Sequence, residues 1–381
     1  MAWPCRQAWM ACMGAGLAFL STAHAQTTAA KWATRASLPI ARAETGAARI
    51  GDKIYVAAGF KDGLAPSKEA FAYTPGKNTW QTIAAMPTAL HHTAMASAGG
   101  KLYVMGGVIN GQGGPHPNGA EWTGSTNAQC YDPATDKWTV VKALPHSTAA
   151  AGVVAFEGKI YVIGGIDIDG FVLDLVQVYD PASDSWNAKA AMPTKREHVG
   201  AAVLDSLIYV SSGRVGQNSM GTLEAYSPKS DKWYSTAKPM PTVRSDIGFA
   251  AAKGKLYAMG GEKPGIFDVN EEFDPAANTW KTALKMTATR KAVSVVNFED
   301  TLFVFGGFSA NGLINTVEAF LPPGSTSATL VPGPRTEGIR RITGAGGTLG
   351  LGPDALGRLY RSGHDGPGKP AFARNRVAFI R

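Results

Sequence analysis

Trp32, Trp80, Trp138, Trp186, Trp233 and Trp280 follow one another at steps of 48, 58, 48, 47 and 47 residues. A second marker keeps the same step. Ala58-Gly59, Gly106-Gly107, Gly164-Gly165, Ser212-Gly213, Gly260-Gly261 and Gly306-Gly307 each pair a small residue with glycine. A period just under fifty residues demands a repeat architecture, in which one supersecondary unit recurs and its neighbours bury it. The cleanest unit runs Gly152–Phe156, Glu157-Gly158, Lys159–Ile163, a loop, Val176–Asp180 and Ser185–Asn187. Four short runs rich in β-branched and aromatic residues, separated by turn residues, predict four strands joined as hairpins. Glu157-Gly158 suits a tight hairpin, and the glycine pairs mark close backbone approach.

Paired glycine, Tyr-Asp-Pro and then Trp at this spacing resembles the kelch repeat over residues 30–321. That resemblance implies an all-β fold, a β-propeller of four-stranded antiparallel blades. The departures are small: Tyr73-Thr74-Pro75, Tyr226-Ser227-Pro228 and Phe273-Asp274-Pro275 replace Tyr-Asp-Pro in three units. The two markers are out of phase. Trp32 precedes the first glycine pair, and no Trp follows Gly306-Gly307. We therefore expect six blades, the last closed by the N-terminal strand around Trp32.

The ends differ in kind from residues 26–321. Arg6, the apolar stretch Ala8–Leu20 and Ala23-His24-Ala25 read as a secretory signal cleaved after Ala25, which predicts a periplasmic or secreted protein without a membrane span. Cys5 and Cys12 leave with it. Only Cys130 remains, so no internal disulfide is possible, and the expected state is a monomer. Residues 322–381 hold 12 Gly and 7 Pro with a net charge of +6, whereas residues 26–321 carry only +1. This composition predicts a tail without fixed structure. Basic and aromatic residues do not interleave there, so no nucleic-acid partner is expected.

In kelch proteins the loops between blades, and those between second and third strands, border one mouth of the channel. Arg42, Arg196, Arg244 and Arg290 each stand four residues after a Leu or Met in the inter-blade loops, where the other two repeats carry Leu90 and Thr148. Converging guanidinium forks bind carboxylates. Arginines at this point of the repeat resemble those by which animal kelch adaptors hold acidic peptides. The expected function is thus an interaction module for an acidic peptide, protein or carbohydrate. The competing expectation is a structural ring, neutralised by Glu44, Glu197 and Asp246. His91, His92 and His198 fall at the same height. Neighbours on a strand point to opposite faces, so no metal or cofactor is expected.

Two further candidates lie nearby. The loop Val108–Gln129 is about ten residues longer than its counterparts and carries Gly111, Gly113, Gly114, His116, Glu121 and Trp122, suited to stacking on a sugar or peptide group. Gly260–Gly265 resembles a stretch of the periplasmic N-acetylneuraminate epimerases, which implies Glu262 as the general base of a sugar mutarotase and Arg214 as its neighbour. That role requires a carboxyl pKa raised toward neutrality. Ile266-Phe267 lack the basic residue of those enzymes. No G-x-S-x-G elbow occurs, and Cys130 alone does not make a copper-radical site.

Overall fold

The computed structural model describes residues 29–109, 122–235 and 237–325. Their strands form six antiparallel four-stranded sheets. Blade one comprises Gly46–Ile50, Lys53–Ala57, Ala70–Thr74 and Thr79–Ile83. Blades two to five repeat the pattern, with inner strands Ala94–Ala98, Gly152–Phe156, Gly200–Leu204 and Gly248–Ala252. Blade six joins Ser294–Phe298, Thr301–Phe305 and Val317–Leu321 to Lys31–Arg35. Each inner strand packs beside the inner strands of both neighbours, including the first against the last, so the blades form a closed ring. The fold is a six-bladed β-propeller. Trp32 pairs with Phe320 in the closing sheet, their rings 4.9 Å apart.

Radial position explains the composition of each strand. The second strand is covered by a blade on both faces, so Ile160, Tyr161, Val162 and Ile163 are all buried and the usual alternation disappears. Each such side chain contributes roughly 1.5–3 kcal/mol relative to exposure. The inner strands converge on the axis and must begin with small residues. A Cβ on Gly200 would lie 2.4 Å from the Cβ of Phe249 in the next blade. Glu157 and Gly158 both take positive φ, as a two-residue hairpin turn requires.

The tryptophans do more than fill space. In blade three, Trp186 Nε1 donates to the carbonyl of Lys142 at 2.9 Å, while the Lys142 N–H donates to Asp184 Oδ1 at 3.0 Å. Tyr179 donates to the same carboxylate oxygen at 2.7 Å. One peptide segment of the preceding blade is thereby gripped at both its donor and its acceptor. Trp80 with Asn78 grips Ala36 in the same way, Trp138 with Asp136 grips Ala84, Trp233 with Asp231 grips Ala190, and Trp280 with Asn278 grips Lys238. The Asn and Asp residues of these clamps sit at φ of 44–54°, a left-handed conformation that short polar side chains tolerate.

Cys130 is buried between blades two and three beside Tyr103, and burial pushes its thiol pKa up. Among the described residues no helix is long and apolar enough to cross a membrane. The signal sequence expected over residues 1–25 lies outside the described residues, as does all of the tail expected over 322–381 beyond Ser325.

Candidate functional site

One mouth of the propeller is built from two residues per blade, placed between the Arg42-type position and the inner strand. The second of the two takes a left-handed conformation in every repeat: Glu44, His92, Ala150, His198, Asp246 and Ala292, with φ between 50° and 59°. Its N–H reaches the preceding blade. Ala150 bonds to the His92 carbonyl at 2.8 Å and His198 to Ala150 at 2.8 Å. Asp246 bonds to His198, Ala292 to Asp246 and Glu44 to Ala292, each at 3.2 Å. These five backbone bonds link the six residues in a row around the axis, from His92 to Glu44, and fix four polar side chains, Glu44, His92, His198 and Asp246, there.

The first of the two residues forms an outer tier by bridging the residue after the glycine pair. The pairs are Ala43 with Phe60, His91 with Val108, Ala149 with Ile166, Glu197 with Arg214, Ser245 with Glu262, and Lys291 with Phe308. This tier has two sectors. Toward blades one to three it is apolar: Phe60 stacks on His91 at 4.1 Å and Trp122 meets His91 at 4.9 Å and His92 at 5.8 Å. Toward blades four to six it is ionic. Arg214 Nε donates to Glu197 Oε1 at 2.8 Å, its Nη1 donates to Glu262 Oε1, and Lys291 donates to the other oxygen of Glu262. His198 Nδ1 meets Glu197 Oε2 at 2.6 Å.

Burial governs the protonation of these groups. It pushes Glu44 up to about 7 and Asp246 up to about 8, with neighbouring carboxylates adding to the shift at Asp246. Burial likewise lowers His91 to about 4 and holds His92 well below its ordinary value, so both imidazoles are neutral at pH 7. At Glu197 burial acts upward, but His198 and Arg214 overcome it and bring the carboxyl to about 2. Glu262 behaves alike: burial is outweighed by Lys291 and Arg214, and its pKa falls below the ordinary value. The raised pKa required of a general base at Glu262 is not met.

The four repeat arginines do not line this mouth. Arg42, Arg196, Arg244 and Arg290 have side chains buried completely within the blades. Arg196 Nη1 donates to Glu224 Oε2 at 2.6 Å and Arg244 Nη1 to Glu271 Oε2 at 2.5 Å. Arg290 pairs with Glu318. Arg42 Nη1 donates to the carbonyls of Ala58 and Glu69 at 2.9 and 3.1 Å. The ring is structural, and its counter-charges are third-strand glutamates rather than Glu44, Glu197 and Asp246. The carbonyl at this position accepts the N–H of the second glycine of the preceding blade at Arg42, Leu90, Thr148, Arg196 and Arg290, whichever side chain stands there. Arg196, for example, accepts from Gly165 at 3.0 Å. A Cβ on Gly165 would lie 2.3 Å from Thr148 Oγ1, which explains the glycine.

The expectation that His91 and His92 diverge is also corrected. His92 is at φ 50°, off any strand, and its Nδ1 is 2.5 Å from that of His91. Glu44, His92 and His198 each present one ligand atom, all within 4.8 Å of one another. Of the other expected site residues, His91, His198, Trp122, Arg214 and Glu262 do come together at the mouth. Gly111, Gly113, Gly114, His116 and Glu121 of the long loop lie outside the described residues. Beside the ionic sector opens a cleft of about 440 Å³, lined by Trp122, Phe171, Lys195, Arg214, Lys263 and both His92 and His198, among others. Phe171 is exposed there, as is Lys195.

A sequence model of the KLHDC2/KLHL20/DRC7 kelch-repeats domain matches residues 16–191 and 130–307. The chain belongs to the kelch-repeat family. This kelch chain is 34% identical to human Kelch-like protein 4 over 55 residues, 14% of its own length and 8% of that protein. The solved structure of YjhT superposes with a TM-score of 0.63 at 15% identity, covering 74% of this chain and 95% of that one. At that identity the likeness concerns the fold.

Proposed function

We propose that this kelch propeller is an exported binding module for a small ring-bearing ligand with an anionic group, an acidic carbohydrate, held in the cleft over blades two to five. The observation that carries the reading is the pairing of aromatic and basic groups on the cleft walls. Trp122 and the exposed Phe171 offer flat apolar faces, and Lys195 and Lys263 stand at the lip. Arg214 is occupied by Glu197 and Glu262, so it supports the floor and leaves the lysines to meet the anion. Aromatic faces suit the C–H face of a sugar ring, and an ammonium at the rim is a mobile point charge for a carboxylate.

The test is calorimetric titration with glucuronate and N-acetylneuraminate, with glucose as the neutral control. Binding of either acid, absent for glucose and weakened at least about tenfold (about 1.4 kcal/mol) in Lys195→Ala/Lys263→Ala, is the expected result. Equal response to the neutral sugar, or no change in the lysine variant, removes this reading.

A further inference from the structure

We propose that Glu44, His92 and His198 bind one divalent transition-metal ion, best Zn²⁺, at the axial mouth of the propeller. The reading is independent of the carbohydrate proposal. Its geometric basis is the position of one carboxylate oxygen. Glu44 Oε1 stands 3.5 Å from His92 Nε2 and 3.7 Å from His198 Nε2. These separations are at or beyond the limit of a hydrogen bond, so neither imidazole satisfies the carboxylate directly. They come close to the spacing of ligands around a common ion: atoms held about 2.0–2.2 Å from a tetrahedral Zn²⁺ lie roughly 3.3–3.6 Å from one another.

The ring nitrogens are oriented for the task. His198 Nδ1 bonds to Glu197 Oε2 at 2.6 Å, and His92 Nδ1 is engaged by His91. Both Nε2 atoms are left facing Glu44, and at His198 the Glu197 contact is the carboxylate–histidine arrangement that fixes ring orientation in metal sites. Arg214 Nη2 contacts His198 Nε2 at 3.3 Å, a long bond that an incoming ion displaces. The three side chains leave backbones locked into the axial row of hydrogen bonds, so little ordering is needed on binding.

Arg214 and Lys291 form their ion pairs with Glu197 and Glu262, and among the described residues the ion-pair contacts of Glu44 are the two imidazoles. Two imidazoles and a carboxylate form a borderline N₂O set that suits zinc and its first-row neighbours rather than calcium or magnesium. Three protein ligands leave one coordination position open. Both imidazoles also line the cleft, and the open position therefore adjoins it.

The experiment uses tag-free full-length protein, stripped with EDTA and re-equilibrated with Zn²⁺ against a chromophoric chelator. Wild type is expected to hold one equivalent. His92→Ala, His198→Ala and Glu44→Gln should each lose about 10- to 100-fold in affinity. His146→Ala, at an exposed histidine paired with Asp167, should be unchanged. Circular dichroism verifies that the variants fold. In wild type, Co²⁺ provides a readout independent of any substitution, an intense visible d–d spectrum of four-coordinate form. Failure to retain Zn²⁺, affinity unaltered in both histidine variants, or a weak six-coordinate cobalt spectrum overturns the proposal.

Discussion

Arg196 and Glu224 form an ion pair at 2.6 Å in which neither side chain is more than 2% exposed. Thr194 donates to the second oxygen of Glu224 at 2.8 Å, and Arg196 also donates to the carbonyls of Thr194 and Val210. The pair joins the loop entering blade four to its third strand. Arg244–Glu271 and Arg290–Glu318 do the same in blades five and six.

Removing one member should therefore leave a buried charge without a partner. Arg196→Met is expected to cost about 3–5 kcal/mol, whereas Arg196→Met/Glu224→Leu should recover most of that loss. Urea midpoints of the two variants provide the check. A single-variant cost below about 1 kcal/mol would show that the pair is not holding the loop.

Arg42 makes the contrasting case. The third-strand position that carries Glu224 in blade four carries Phe71 in blade one, and the Arg42 guanidinium lies 4.9 Å from that ring. Burial lowers the Arg42 pKa to about 10, and its Nε and Nη2 have no hydrogen-bond partner. Desolvation without a carboxylate contributes little net stability, so Arg42→Met should stay within about 1 kcal/mol of wild type or exceed it. A loss equal to that of Arg196→Met would refute this account.

These pairs mark where the sequence was legible. Strand order, blade number and closure by Trp32 follow from markers that repeat along the chain. The same repetition contains a signal for the arginines: Glu224, Glu271 and Glu318 stand 27 or 28 residues after Arg196, Arg244 and Arg290, while blades with Leu90 or Thr148 carry Gln129 or Gln177. Exchange of Glu for Gln in step with loss of Arg reveals a pair within blades four, five and six. The axial residues were harder to see. Glu44, His92, His198 and Asp246 occupy one repeat position, two after the arginine site, but their chemistry varies from blade to blade. Only ring closure brings positions roughly 50 to 200 residues apart to one axis.

Closure itself is testable. Among the described residues Lys31–Arg35 has only Val317–Leu321 as a strand partner, and Trp32 Nε1 donates to the Leu284 carbonyl at 3.2 Å. Trp32 is half-buried, so Trp32→Ala should cost about 2 kcal/mol, less than the roughly 3–5 kcal/mol of a fully buried tryptophan. It should also speed proteolysis near the N-terminus by freeing the strand. Unchanged thermal stability and cleavage would mean that the seam is held without this ring.

Glu262 is the residue at which enzyme and binding module give opposite expectations. Its carboxyl pKa is lowered by Lys291 and Arg214 against the upward pull of burial. A depressed acid stabilises the fold above its unfolded pKa of about 4.5, and that contribution is lost as pH falls through the folded value. The stability gap between wild type and Glu262→Gln should therefore be largest near pH 6 and close toward pH 3, as read from urea midpoints across that range. A gap that widens with acid contradicts the assignment. The same ionic clasp makes Glu262 a weak base, so the protein should leave the anomer exchange of N-acetylneuraminate at its spontaneous rate when followed by NMR. Acceleration that disappears in Glu262→Gln would instead establish a mutarotase, with Arg214 and Lys291 yielding the carboxylate when substrate binds.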